Sequence, residues 1–315
     1  MPDRTPREAV ETYPQAGPRA LVRTPAKGYN WAINSEATER RLARTLVLAN
    51  QKGGVGKTTT AVNLAAELAS QGHRVLLIDI DPQGNATSSL GVEKNTVARS
   101  TYDVLIEGEP IAGCRVAGVR PRLDLLPANG ELAAAEVELV GLRRREFRLR
   151  EALEREAGRY DVVVIDCPPS LGLLTVNALS AADEVVVPIQ CEYLALEGLM
   201  QLINTIDLVK RRLNPALDVL AVVLTMFDAR TRLSAQVVED VQRFFPSRTL
   251  ESVIPRTVRL AEAPSYGQTI YEYDSASRAA SAYRDASQEI AARLGLQSPA
   301  EPPLLTAARR REPWT

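Results

Sequence analysis

A doubly wound, mostly parallel α/β sheet flanked by helices is what this 315-residue sequence predicts, on three observations. Apolar runs alternate with helix-period segments from residue 44 to about residue 294. One apolar run opens into a glycine-rich turn that feeds a helix, and two others end in aspartate. Strands covered on both faces by crossover helices are apolar throughout, whereas half-solvated strands alternate. Ligands of such sheets sit beyond the carboxyl ends of the strands.

Residues 1–43 carry Pro2, Pro6, Pro14, Pro18 and Pro25 with scattered charge and no sustained period, which predicts a flexible arm. Its basic residues, Arg4, Arg7, Arg19, Arg23, Lys27, Arg40 and Arg41, suit either a solvated tail or a DNA- or partner-contacting arm. The first strand is read over Thr45–Ala49, the glycine loop over Lys52–Thr59 and a helix over Thr60–Gln71. Further strands are read over Arg74–Asp79, Tyr160–Asp166, Glu184–Pro188 and Val219–Thr225, and helices over Glu197–Leu213 and Leu233–Phe245. Glu138–Gly158 is dense in arginine and glutamate of interleaved sign, the pattern of a solvated helix face. Residues 295–315 return to proline and charge and are read as a flexible tail. The α/β domain is therefore placed at 44–294, and no internal repeats are found.

Lysine plus arginine number 38 against 39 aspartate plus glutamate, so there is no overall basic footprint. Any DNA binding must use a local patch or several copies of the chain. Cys114, Cys167 and Cys191 are widely spaced without a CxxC pattern and read as reduced, ordinary residues, with no structural zinc expected. The sole histidine, His73, follows Gly72 in a helix-to-strand turn and reads as a surface residue. One histidine in such a turn excludes chemistry built on Ser/His/Asp or Cys/His. No apolar run is long enough to span a bilayer, and the N-terminus lacks the apolar core of a signal peptide, so the cytoplasm is expected.

The chemistry concentrates in Lys52-Gly53-Gly54-Val55-Gly56-Lys57-Thr58-Thr59, set between strand and helix. Glycines let successive N–H groups turn inward on phosphate oxygens, and the helix N-terminus adds partial positive charge. Lys57 is positioned for the β- and γ-phosphates and Thr58 for Mg²⁺. Lys52 precedes the first glycine and is an addition that ordinary phosphate-binding loops do not need. Asp166 ends Val162-Val163-Val164-Ile165, the arrangement in which a carboxylate holds Mg²⁺ directly or through water. Asp79 and Asp81 end the second strand; alone, each would read as a turn former.

These stretches, Lys52–Thr59, Asp79-Ile80-Asp81-Pro82-Gln83-Gly84-Asn85 and Ile165-Asp166-Cys167-Pro168-Pro169-Ser170-Leu171-Gly172, resemble the motifs of the ParA/Soj family of partitioning ATPases, the deviant Walker-A branch of the P-loop NTPases. Gln190–Gly198 and Val253–Pro264 strengthen the likeness to chromosomal Soj proteins, which covers roughly residues 44–294. The resemblance implies ATP and Mg²⁺ as cofactors. It implies that Gly53 to Thr59 wrap the phosphates and that Lys52 reaches across a homodimer to the partner's nucleotide. Asp81 would orient the attacking water, Thr58, Asp81 and Asp166 would serve the metal, and Pro255 and Thr257 would line the adenine. It further implies sequence-independent binding of double-stranded DNA through Arg230 and Arg259 on the ATP dimer. A ParB-type centromere-binding protein would stimulate hydrolysis, and the protein would associate with the nucleoid.

Three other readings share the loop. A MinD-like, membrane-riding ATPase needs a C-terminal amphipathic helix, which Pro299, Pro302 and Pro303 oppose. A reductase bridging an iron–sulfur cluster needs two converging cysteines per subunit, and Cys167 has no neighbour at cluster spacing. A tyrosine kinase of this loop class typically carries a tyrosine-rich tail, and no tyrosine follows residue 284.

Overall fold

The computed structural model describes residues 43–192 and 195–296; the expected tail from Gln297 and the arm up to residue 42 lie outside them. Eight strands among these residues form one sheet: β1 (Arg44–Leu48), β2 (Val75–Asp79), β3 (Val116–Arg120), β4 (Leu123–Leu126), β5 (Val162–Asp166), β6 (Glu184–Gln190), β7 (Asp218–Phe227) and β8 (Thr249–Pro255). Their order is β3-β4-β2-β5-β1-β6-β7-β8. Every pairing is parallel except that of β3 with β4. The mostly parallel, doubly wound sheet expected from the apolar runs is the fold observed.

The two sheet faces follow from strand period two. Leu46, Leu48, Val75, Leu77, Val162 and Val164 face one layer, built with the helices Lys57–Ser70 and Arg278–Arg293. Val47, Leu76, Ile78, Val163 and Ile165 face the other, with the helices Leu173–Ala181, Ala195–Arg212 and Arg232–Phe244. All these strand residues are essentially buried, each adding about 1.5–3 kcal/mol of apolar burial.

Three strands had no clear apolar run. β3 is half exposed and contains Gly118, β4 spans only four residues before Pro127, and β8 carries Glu251 and Ser252 at the sheet edge. The 138–158 stretch is not one solvated helix face. It divides into the end of helix Leu132–Glu138, a 3₁₀ turn Leu139–Gly141 and helix Arg148–Glu154, with Leu149 and Ala152 buried. Arg148 spends its guanidinium on the carbonyls of Leu105 and Ile106, at 2.7 and 3.1 Å. His73 is also not a surface residue: it is only 5% exposed. The helix end folds back so that the His73 N–H donates to the Leu68 carbonyl, and β2 begins two residues on. Burial holds its imidazole below the ordinary 6.5, with Asp161 opposing. Among the described residues no helix is long and apolar enough to cross a membrane.

Candidate nucleotide site

Sheet register assembles the site. β1 lies between β5 and β6, and Leu48 and Asp79 are both Cα partners of Asp166. The loop after β1 and the carboxylates ending β2 and β5 therefore meet at one end of the sheet.

The loop itself is a backbone cradle. Gly54 and Gly56 have φ of +74° and +88°, a region costly for any residue with a Cβ. Gly56 begins the helix Lys57–Ser70 without a side-chain cap, which leaves the first-turn N–H groups to an anion. A Cβ built on Gly53 or Gly54 meets nothing within 4 Å, so this side of the loop is open. Three ties hold it from behind. Asn50 donates to the Pro188 carbonyl at 2.7 Å and accepts from the Lys52 N–H at 3.0 Å. Thr225 donates to the Val55 carbonyl at 2.8 Å.

Lys57 is buried, with its ammonium 3.2 Å from the Lys52 carbonyl. Burial lowers its pKa, while Asp166, Cys167 and Asp81 act to raise it. Asp166 is fully buried, and among the described residues neither of its carboxylate oxygens has a hydrogen-bond partner. Burial, then the charge of Asp79, push its carboxyl well above the usual range; the neighbouring Thr58 hydroxyl and Lys57 act against that. An orphaned, buried carboxylate beside a hydroxyl and an ammonium is a poor structural element and a suitable cation ligand. Among the described residues no three His, Cys, Asp or Glu side chains form a metal cage. Mg²⁺ takes one or two carboxylates and draws the rest from phosphate and water, so it does not require such a cage.

Asp81 is buried, its carboxylate accepting from the Gln83 N–H at 2.9 Å. Asp79, given no site role by the sequence reading, is the hub of this turn. It accepts from the Thr87 N–H and hydroxyl, both at 2.8 Å, and from the Asp81 N–H at 3.2 Å. Burial raises its pKa to about 6 against those bonds. Its spacing two residues before Asp81 was the available signal.

A cleft of about 540 Å³ adjoins the loop, sharing Gly56 and Thr59 with it and lined also by Thr225, Pro255, Thr257 and Tyr283. Its wall includes Met226, whose φ of +53° is unusual for a residue with a side chain. The cleft thus brings Pro255 and Thr257 beside the phosphate loop. Arg230 also borders it, 88% exposed and paired with Asp228 at 2.7 Å. Arg259, next to the cleft residue Val258, pairs with Glu262 and Asp274 at 3.3 and 3.6 Å and lies over the Tyr273 ring. Lys52 turns elsewhere: its ammonium pairs with Glu192 on the surface.

A family model described as an AAA domain matches residues 43–219. The Soj protein of Bacillus subtilis, named for inhibition of sporulation initiation, is 54% identical over 251 residues, covering 80% of this chain and 99% of that one. The chain belongs to the Soj/ParA family of chromosome-partitioning P-loop ATPases. The ParA partitioning protein of Myxococcus xanthus, another member, is 50% identical over 82% of this chain and 91% of its own. Among solved structures, a Mycobacterium smegmatis protein described as cobyrinic acid a,c-diamide synthase, with bound ATP analogue and magnesium, is 41% identical with a TM-score of 0.69. It covers 78% of this chain and 93% of its own length. The ATP complex of a Cyanothece McdA variant, at 22% identity and TM-score 0.73 over 83% of this chain and all of that one, shares the fold.

Proposed function

We propose that this Soj/ParA-family protein binds and hydrolyses Mg–ATP between the loop and the strand-end aspartates, and that ATP assembles a DNA-binding homodimer. The observation that carries the reading is the unpartnered, fully buried Asp166 carboxylate beside Thr58 and Lys57. Gly53 to Thr59 would wrap the phosphates, with Lys57 countering the β/γ charge, and Thr58, Asp81 and Asp166 would serve Mg²⁺. The metal, when bound, neutralises charge on the phosphates. Pro255 and Thr257 would meet the base in the cleft beside the loop. Asp81, turned by Asp79 and Gln83, would hold the attacking water.

Lys52, exposed and, among the described residues, with its ammonium paired to Glu192, stands outside the cradle and would serve the partner's nucleotide. A surface ion pair of this kind is worth about 0–1 kcal/mol, so leaving it costs little. Arg230 and Arg259 would contact phosphates of DNA without reading bases, and dimerisation doubles their number on one surface. A ParB-type centromere-binding protein would stimulate hydrolysis and release. The proposed setting is the cytoplasm, on the nucleoid.

DNA binding by the purified protein with no nucleotide, ADP, ATP and a slowly hydrolysed ATP analogue tests the cycle. Binding is expected with the last two alone, declining as ATP is consumed. Equal binding in all four would remove the nucleotide switch.

A further inference from the structure

The loop that leaves Asp166 runs through Cys167-Pro168-Pro169-Ser170-Leu171-Gly172 into the helix Leu173–Ala181. Its near end is fixed by the sheet, where β5 pairs with both β1 and β2. Its far end enters a helix whose Leu174 and Ala178 pack in the core, but the first turn of that helix needs capping. Gly172, the residue before the helix, offers no side-chain cap, and the first-turn N–H groups need acceptors.

Glu136, on the helix Leu132–Glu138, supplies them. One of its carboxylate oxygens accepts from the Leu173 N–H at 2.8 Å and the other from the Leu174 N–H at 3.3 Å. A carboxylate here also meets the positive end of the helix dipole. Inside the loop, Thr175 donates to the Ser170 carbonyl at 2.6 Å, so the last loop residues and the first helical turn move as one piece.

Gly172 is explained by the same contact. Its φ of −80° and ψ of −170° are extended and open to any residue, so backbone freedom is not the reason for glycine. Space is. A Cβ on Gly172 would fall 2.3–2.6 Å from the Glu136 carboxyl atoms. The glycine and the glutamate form one lock.

We propose that Glu136 is a positioning residue for ATP hydrolysis: with Gly172 it clips the far end of the Asp166 loop and holds the loop in register with the phosphate cradle. This rests on the reading of the site given above. Glu136 touches neither the loop Gly53–Thr59 nor the cleft beside it, so nucleotide affinity should not depend on it. The turnover rate should, because misplacing a catalytic carboxylate by about 1 Å can cost a hundredfold.

The test combines four variants of the full chain, Glu136→Ala, Glu136→Gln, Gly172→Ala and Glu136→Ala/Gly172→Ala, with three readouts. In steady-state ATPase assays Glu136→Ala and Gly172→Ala should each lower kcat about tenfold or more, with ADP affinity by calorimetry in the absence of Mg²⁺ within about twofold of wild type. Glu136→Gln, which keeps one acceptor oxygen, should recover part of the rate. The double variant should be no worse than Glu136→Ala, because the added methyl then has nothing to strike. A wild-type kcat for Glu136→Ala, or strictly multiplicative losses in the double variant, would overturn the proposal. Amide hydrogen exchange of the ADP-bound chains is the third readout and does not depend on activity. Protection of Leu173 and Leu174 should fall in Glu136→Ala, and unchanged protection overturns the clip. If wild type hydrolyses no ATP, with or without DNA, the functional reading fails while exchange still decides the clip.

Discussion

Asp166 is destabilising where it stands: a buried carboxylate with no partner costs about 1–3 kcal/mol or more. Asp166→Asn should therefore raise the thermal midpoint of the nucleotide-free protein by about 2–8 °C and abolish the further rise that Mg-nucleotide gives wild type. Scanning calorimetry with and without Mg–ADP checks both halves, and an unchanged nucleotide response would take Asp166 out of the site. His73 supplies a second residue-scale prediction. With one histidine in the chain, its NMR titration is unambiguous, and burial should place the midpoint below 6.5. The unfolded chain then takes up this proton at higher pH than the folded one, so stability is lost as pH falls through about 6.5. Asp79, raised to about 6, contributes the opposite slope, so the comparison is with His73→Gln. A midpoint at or above 6.5 would contradict the burial. Strand and loop context is what pointed to Lys57 and Asp166, and the fold brings the two close together. It misjudged His73 because burial at a turn depends on what packs over it, and Asp161 lies far along the chain.

At the scale of elements, the strand–loop–helix unit was legible because periodicity and glycine spacing are local properties. β1, β2, β5 and β6 shift by no more than two residues from the apolar runs that announced them. β3, β4 and β8 escaped because short or edge strands are fixed by their neighbours more than by their own composition. Glu192 and Thr225 escaped for the same reason, since only the fold brings them to the loop. Gly56→Ala tests the cradle as an element. The left-handed backbone should cost about 1–2 kcal/mol in folding, and the distorted loop should lose about tenfold in ADP affinity. Unchanged calorimetric affinity would mean that the loop does not require that backbone.

At the scale of the whole molecule, a chain of net charge −1 that is to hold DNA must use a local basic patch or gather basic groups by assembly, and the proposed dimer does the second. Substituting both Arg230 and Arg259 by glutamate should abolish ATP-dependent DNA binding while ATP-dependent dimerisation, followed by light scattering, persists. A doubly substituted chain that still shifts duplex DNA at moderate salt would move the contact elsewhere. The strand order has a consequence of a different kind, in the timing of synthesis. β1 is made early, yet its sheet partners among the described residues are β5 and β6, far downstream. At typical translation speeds the glycine loop therefore leaves the ribosome about ten seconds before anything can flank it. Until Pro188 emerges, Asn50 lacks the carbonyl that ties the loop down, and β1 exposes two unpaired edges. A nucleotide cannot template this domain from its N-terminus; it can only clamp a sheet that has already closed, and nascent chains stalled before β6 are the ones most in need of a chaperone.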